Sequence, residues 1–352
     1  MKYSIIIPVY NRPDEVEELL ESLTTQSKKD FEVVVVEDGS NIPCNSVCEK
    51  YKDKLDIHYY NKPNSGPGQS RNYGAERANG EYIIVLDSDV VLPADYIQAI
   101  DDELKRKHAD AFGGPDEAHP SFTDTQKAIS YSMTSFFTTG GIRGGKKKLD
   151  KFYPRSFNMG ISKEAYMALG GFSKMRFGED IDFSIRIFKA GYKCRLFPEA
   201  WVWHKRRTDF RKFWRQVYNS GIARINLYKK YPESLKLVHL LPMVFTLGVV
   251  GTLLLLILGF LPYMLGTSHA FPTLGCIIET LGCIGLAAII VYTIALFADS
   301  TKKNHSAKIG LLSIRAAFTQ LMGYGCGFIY AWWRRCVLGK DEFAAFEKTF
   351  YK

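Results

Sequence analysis

The chain has 352 residues, 46% of them hydrophobic and 24% charged, with 46 Lys and Arg against 37 Asp and Glu, a formal +9. At roughly 150 residues per domain this makes about two units, and the composition excludes a disordered, collagenous or small disulfide-stapled chain. The mean hydropathy of −0.11 averages a polar front over a very apolar back, and ten basic against two acidic residues between His204 and Lys236 put nearly all the net charge in one segment.

Tyr3–Val9 is a continuous apolar run rich in Ile, with Pro8 near its end, the pattern of a buried parallel strand. Asp14–Leu23 carries Val16, Leu19, Leu20 and Leu23 at helical spacing, with acids in the first turn where the helix dipole favours them. Phe31–Val36 reads as a second buried strand closed by Asp38-Gly39-Ser40, residues 45–54 as a helix and Asp56–Tyr60 as a short strand. Pro63–Gly68 reads as a loop and Gln69–Ala78 as a helix closed by Asn79-Gly80. Tyr82–Leu86 is a further apolar strand, ending on Asp87-Ser88-Asp89, and Tyr96–Arg106 is another helix. Apolar strands alternating with helices predict a mostly parallel sheet covered on both faces. Ligands of such sheets bind outside the carboxyl ends of the strands. That singles out Asn11, Asp38, Asp87 and Asp89.

Beyond Lys236 the pattern changes. Leu240–Leu265 contains 26 residues and no charge, enough to cross a bilayer of ~30 Å at ~1.5 Å per residue. Thr273–Ala298 holds only Glu279. Ile309–Trp333 holds Arg315 and ends in the interfacial pair Trp332-Trp333; it reads as a third span or as a helix lying in the interface. The expected organisation is an α/β domain over residues 1–220, overlapping a basic amphipathic interfacial segment over 205–239. Spans follow over 240–265, 273–298 and, if it crosses, 309–333, with a tail over 334–352. Basic residues before the first span and after the second place both ends in the cytoplasm. Aromatics interleave with the cations of Lys205–Lys236, but directly before a span this fits anionic lipid, and no nucleic-acid partner is expected.

The seven cysteines are odd in number and lack a CxxC pair, which argues against a disulfide framework or zinc ribbon, so Cys44 and Cys48 read as free thiols. The apolar run after Met1-Lys2 is too short for a signal-peptide core, so the N-terminal half is expected to stay in the cytoplasm. Gly66-Pro67-Gly68 lacks the third glycine of a dinucleotide fingerprint. Asp87 and Asp89, two carboxylates at a strand end, suit Mg²⁺ or Mn²⁺ sharing oxygens with a substrate diphosphate.

Six pieces in order carry a resemblance. They are Ser4-Ile5-Ile6-Ile7-Pro8-Val9-Tyr10-Asn11, Val36-Glu37-Asp38-Gly39-Ser40, Gly68-Gln69-Ser70-Arg71-Asn72-Tyr73-Gly74, Gly80 through Asp89, Gly170-Gly171-Phe172 and Gly178-Glu179-Asp180. With these the chain resembles a family 2 glycosyltransferase over residues 1 to roughly 220, departing from the family in having Glu37-Asp38 where two aspartates are usual. The resemblance implies a GT-A fold, Rossmann-like with a mostly parallel sheet, followed here by an α-helical membrane region. It further implies that Pro8, Val9, Tyr10 and Asn11 approach the nucleotide, that Asp38 hydrogen-bonds base or ribose, and that Arg71 faces the diphosphate. Asp87, Asp89 and His204 would hold a divalent metal, Mn²⁺ or Mg²⁺. Glu179-Asp180 would form the catalytic pair, with Asp180 as the base that takes the acceptor hydroxyl's proton. Asn158 is a further candidate for the acceptor cleft.

The expected function is a membrane-anchored, inverting glycosyltransferase with its catalytic domain in the cytoplasm, at the inner or plasma membrane. It would move a sugar from a nucleotide-sugar donor, a UDP-sugar being the first expectation, to a lipid-linked or polysaccharide acceptor in cell-envelope glycan synthesis, with membrane lipids as further partners. Two alternatives stand beside it. A polyprenyl-phosphate glycosyltransferase has an acceptor phosphate that is already ionised and needs no base, so Glu179-Asp180 weighs against it. An inactive nucleotide-sugar-binding membrane scaffold is opposed by intact Asp38, Asp87, Asp89 and Asp180. Three spans are too few for a wide translocation channel.

Overall fold

All seven residues of β1 (Tyr3–Val9) are buried, and so are all eight of β2 (Phe31–Asp38), as strands covered on both faces must be. The computed structural model describes residues 2–119, 121–139, 152–175, 177–264 and 272–341. Between β1 and β2 lies α1 (Pro13–Thr24), and the chain continues through α2 (Asn45–Tyr51), β3 (Ile57–Lys62), α3 (Pro67–Arg77) and β4 (Tyr82–Leu86). Next come β5 (Val90–Val91), α4 (Tyr96–Arg106), β6 (Ala111–Gly113), β7 (Asp116–Glu117), α5 (Asp124–Thr134) and α6 (Phe136–Thr139). Then follow β8 (Asn158–Ser162), α7 (Lys163–Ala168), α8 (Glu179–Lys189), β9 (Cys194–Leu196) and β10 (Val202–His204). The last helices are α9 (Phe210–Lys230), α10 (Leu241–Met264), α11 (Pro272–Asn304) and α12 (Ala307–Trp332).

Two compact units divide the chain, one drawn from Met1–Ser121 and Lys146–Lys205, the other from Phe122–Gly145 and Arg206–Lys340. The first is built on a seven-stranded sheet of order β3-β2-β1-β4-β8-β6-β9. It is mostly parallel; β8 alone among the described strands runs antiparallel to both its neighbours, β4 and β6. Alternate side chains of the central strands point into two cores. Ile5, Ile7, Val33 and Val35 pack with Leu19 and Leu20 of α1 and Ile97 and Ile100 of α4. Ile6, Val34 and Val36 pack with Ala75 of α3, Phe172, and Phe183 and Ile187 of α8. A three-stranded sheet, β5-β10-β7, stands beside the carboxyl end of β4.

The second unit is helical. α5, α9 and α12 meet through Ala128, Ile129, Phe213, Val217, Ile309 and Ala316. α9 and α12 approach closely enough that a Cβ on Gly327 would fall 2.0 Å from the Tyr218 carbonyl oxygen and one on Gly323 2.6 Å from Val217 Cγ2, while one on Gly325 would fall 2.1 Å from Thr246 Oγ1 of α10. Among the described residues two helices are long and apolar enough to cross a membrane, over Leu241–Phe260 with mean hydropathy 2.5 and over Gly275–Asn304 with 2.4. The third apolar stretch behaves differently. α12 buries a stripe of small residues, stacks Arg315 over the Phe210 ring at 4.5 Å, and pairs Ser313 with Ser300 at 2.7 Å.

Candidate active site

The carboxyl ends of β1, β2 and β4 hold the groups singled out by sequence. Pro8 and Val9 are buried within β1, while Tyr10 and Asn11 are half-exposed at its end. Asn11 takes a left-handed backbone (φ 53°), which its side chain tolerates. Its amide donates to Ser40 Oγ at 2.7 Å, and its Oδ1 accepts from the Asn41 and Ile42 N–H groups at 2.8 and 3.0 Å.

Asp38 ends β2, 1% exposed, and its carboxylate is heavily used by the fold. It accepts from Lys62 Nζ, Asn64 Nδ2 (3.1 Å), the Ser65 N–H (2.9 Å) and the Gly66 N–H (2.8 Å). Those four donors match the roughly four lone-pair sites of a carboxylate, so a base or ribose contact would have to replace one of them. Gly39 (φ +72°) is required beside it, since a Cβ would lie 2.8 Å from the Asn64 nitrogen. Glu37 is fully buried and accepts from Ser40 Oγ, the Cys44 N–H (2.8 Å) and Tyr59 OH (3.4 Å). Both acids pin the loops around the end of β2.

Asp87 and Asp89 follow β4, and β10 pairs with β5 so that His204 lies opposite Val90. His204 Nε2 comes 3.3 Å from Asp89 Oδ1, and its Nδ1 lies 3.9 Å from Asp116 Oδ2. Phe157 stacks on the imidazole at 4.8 Å and holds its plane. Ligand atoms of Asp87, Asp89 and His204 all lie within 4.8 Å of one another. Two carboxylates and one imidazole form a donor set suited to Mn²⁺, and less selectively to Mg²⁺; Asp116 stands where a carboxylate behind a ligating histidine is commonly found. The residues present fit the metal.

Two arginines complete this edge. Arg71 on α3 is 3% exposed; its Nη2 lies 2.7 Å from Asp87 Oδ1 and its Nη1 3.2 Å from Glu179 Oε1. It is an internal bridge, not a helix-surface charge. Arg12, one residue beyond Asn11, sets Nη1 2.7 Å from Asp89 Oδ2.

Gly178 (φ 89°) turns the chain into α8, so Glu179 and Asp180 stand in its first turn. Asp180 Oδ2 pairs with Arg155 Nε at 2.7 Å and Oδ1 accepts the Ile181 N–H at 2.8 Å. Burial would raise the Asp180 carboxyl, but Arg155 and that N–H hold it below the usual carboxylate range. Glu179 is driven the other way: burial and the neighbouring Asp180 charge push it up to about 7. One acid is thus kept ionised beside another that titrates near neutrality, which is the division of states that proton transfer uses.

Asn158 is taken up by the fold. It is 2% exposed, accepts from Tyr96 OH at 2.7 Å and donates to the Ala200 carbonyl at 2.8 Å, which gives it a structural task in place of the acceptor contact. Sequence reasoning passed over Asn72, which accepts from Tyr166 OH and the Phe172 N–H and donates to the Phe172 carbonyl. It fastens Gly170-Gly171-Phe172 to α3. Arg12 and Arg155 were also missed; the only signal for Arg12 was its place at the carboxyl end of a buried strand.

Residues 4–170 match the family described as Glycosyl transferase family 2. An uncharacterized glycosyltransferase of Rickettsia felis is 35% identical over 140 residues, covering 39% of this chain and 22% of that protein. The poly(ribitol-phosphate) β-N-acetylglucosaminyltransferase TarS of Staphylococcus aureus is 41% identical over 93 residues, covering 25% of this chain and 16% of its own. The chain thus spans less than a quarter of the length of these two relatives. Among solved structures, the mannosyltransferase PcManGT of Pyrobaculum calidifontis, in complex with GDP-Man and Mn²⁺, covers 95% of this chain and 88% of its own at 17% identity, with a TM-score of 0.55. That likeness is one of fold.

Proposed function

We propose that this chain is a membrane-anchored, inverting glycosyltransferase that uses a nucleotide-sugar donor and a divalent metal. The observation that carries the reading is the set of contacts from His204 to Asp89 on one side, and from Asp87 through Arg71 to Glu179, the neighbour of Asp180, on the other. It joins a metal-ligating set to a carboxylate pair at one edge of the sheet.

In this reading Asp180, kept ionised, accepts the proton of the acceptor hydroxyl as that oxygen bonds to the anomeric carbon and the bond to the diphosphate breaks. Asp87, Asp89 and His204 would hold the divalent metal, which when bound would supply positive charge against the departing diphosphate. Arg71 keeps Asp87 turned toward that site, and Asp38 with Asn11 shapes the loops that receive the nucleoside. A UDP-sugar is the first donor to test. The acceptor is a hydroxyl on a lipid-linked or envelope glycan; the Staphylococcus aureus relative is named for transfer to poly(ribitol-phosphate), a polymer that likewise offers hydroxyls.

α10 and α11 are the proposed spans. Apolar residues such as Leu253, Ile257, Ile284 and Val291 are each more than half exposed, as a lipid-facing surface requires. At 33 residues α11 is about 50 Å long, so Lys302 and Lys303 in its last turn reach beyond a ~30 Å core. α12, packed on α5 and α9, lies in the interface. The decisive experiment presents purified protein in detergent with a panel of nucleotide sugars and scores released nucleoside diphosphate, with and without EDTA. Turnover of one donor, lost in EDTA and restored by Mn²⁺ or Mg²⁺, is the expected result; full activity in EDTA contradicts the metal assignment.

A further inference from the structure

Both carboxylates of the metal-ligating set are already neutralised by arginines, and the two arginines differ. Arg71 is buried and tied to Asp87 and Glu179 at once, so it cannot leave. Arg12 precedes the first turn of α1, a third of its side chain is exposed, and it forms an ion pair with Asp89. Asp89 itself is 8% exposed, with one oxygen toward Arg12 and the other toward His204.

Resting on the metal-dependent reading above, we infer that Arg12 is a resident cation that holds Asp89 until donor and metal arrive together, and then passes to the donor diphosphate. A dication entering alone meets two carboxylates whose charge is cancelled by two guanidinium groups a few ångströms away, and inside a partly buried site that repulsion is weakly screened. A diphosphate reverses the balance. It supplies oxygens to the metal and a planar, bidentate target for a guanidinium, the geometry arginine is built for. Arg12 therefore makes metal uptake depend on the donor. Its long, one-third-exposed side chain gives it the freedom that Arg71, 3% exposed, lacks.

The alternative role for a residue in this place is to orient the ligand, and the two roles predict opposite signs. Removing an orienting partner weakens metal binding, commonly ten- to a hundredfold. Removing a competing cation strengthens it. The test is Mn²⁺ binding to the purified full chain without nucleotide, read by electron paramagnetic resonance of free Mn²⁺. Arg12→Gln should bind Mn²⁺ about tenfold tighter than wild type, by the same scale, with Arg12→Lys close to wild type. Adding UDP or GDP should tighten Mn²⁺ binding in wild type and by roughly tenfold less in Arg12→Gln. Equal or weaker Mn²⁺ binding by Arg12→Gln overturns the inference. A separate control carries the underlying reading: Asp89→Asn should remove the tight site in the Arg12→Gln background, and Mn²⁺ binding that survives it overturns the metal site itself.

Discussion

Arg71 Nη2 lies 2.7 Å from Asp87 Oδ1, and this one contact ties the acidic end of β4 to the start of α8, because the same guanidinium reaches Glu179. Its ring-facing side is closed by Phe172 at 5.1 Å. Breaking a buried pair leaves a charge without compensation and costs on the order of 3–5 kcal/mol. Arg71→Met should therefore lower the unfolding midpoint in urea and reduce turnover at least a hundredfold. Arg71→Lys should recover part of the stability and little of the turnover, since an ammonium cannot serve two carboxylates in a fork. Wild-type turnover in Arg71→Met would separate this bridge from catalysis.

The paired acids of α8 predict a stability effect of definite sign. Glu179 has a folded-state pKa pushed up to about 7 from the ordinary 4.5. Between those values the unfolded chain has released a proton that the folded chain retains, so stability falls as pH rises through this window. The upper limit is about 3 kcal/mol. In EDTA, Glu179→Gln should gain in thermal midpoint relative to wild type at pH 8 and show less advantage at pH 5. A difference that is the same at both pH values removes Glu179 as the titrating group.

Asp180 answers to a different test. Its Arg155 partner lies on the segment before β8 and is held through a single nitrogen, Nε. Asp180→Asn should bind donor normally and lose turnover by at least a hundredfold, whereas Asp89→Ala should lose both. Arg155→Gln should shift the acidic limb of kcat/KM to higher pH, because the guanidinium keeps the carboxyl low. Near-normal kcat in Asp180→Asn would end its assignment as base.

The central strands and the helices between them were legible because burial on both faces writes long apolar runs. Tyr3–Val9, Tyr82–Leu86 and Tyr96–Arg106 form the elements their sequences predict, to the residue. Among the short strands, the apolar-aromatic run Ala200-Trp201-Val202-Trp203 does mark a strand ending on His204, and β10 (Val202–His204) is that strand. β5 and β7 have two residues each, too few for any period to show, and the pairing of β10 with β5, which places His204 beside Asp89, was not legible. Asp87, Asp89, Glu179 and Asp180 could be picked out because acids at strand and helix ends are conspicuous. Their partners could not: Arg12 and Asp89 are separated by 77 positions, and nothing local distinguishes Arg12 from a solvated charge. The branching of the chain between units was equally hidden, since α5 reads as an ordinary helix until Tyr131 is seen hydrogen-bonded to Asp299 at 2.7 Å.

Away from the site, Asp101 supplies a control for stability alone. Its side chain is fully buried and accepts from Lys28 (2.6 Å), Lys105 (2.7 Å), Tyr3 OH (3.0 Å) and Lys2. Burial would raise this carboxyl, yet Lys105, Lys2, Lys28 and the Tyr3 hydroxyl hold it far below the usual range. The stability it contributes is present above the unfolded carboxyl's pKa near 4 and is lost as pH falls below it. Asp101→Asn should cost about 2–3 kcal/mol at pH 7, and its deficit relative to wild type should shrink below pH 3. Mn²⁺ affinity should not change.

The last prediction concerns α9. The segment from His204 to Lys236 does not present all its cations alike. Arg206 is 7% exposed, and its carbonyl accepts from Gln126 Nε2 at 3.0 Å, so it serves the packing of the helical unit. Arg211, Lys212 and Arg215 are exposed along the first turns of α9, with Trp214 among them at 38% exposure. Cations flanking an exposed tryptophan on an amphipathic helix suit an anionic leaflet, each worth ~1 kcal/mol and screened within ~8 Å at physiological salt. These charges are not needed for anchoring if α10 and α11 span. Changing Arg211, Lys212 and Arg215 together to Gln should therefore leave the protein in the membrane fraction after alkaline washing. Transfer to an acceptor embedded in vesicles containing anionic lipid should fall about tenfold, while slow donor hydrolysis by water persists. The wild-type protein should lose the same advantage as salt is raised. Equal loss of transfer and hydrolysis would instead place these residues on the donor, and transfer unchanged at physiological salt would leave them as topology signals.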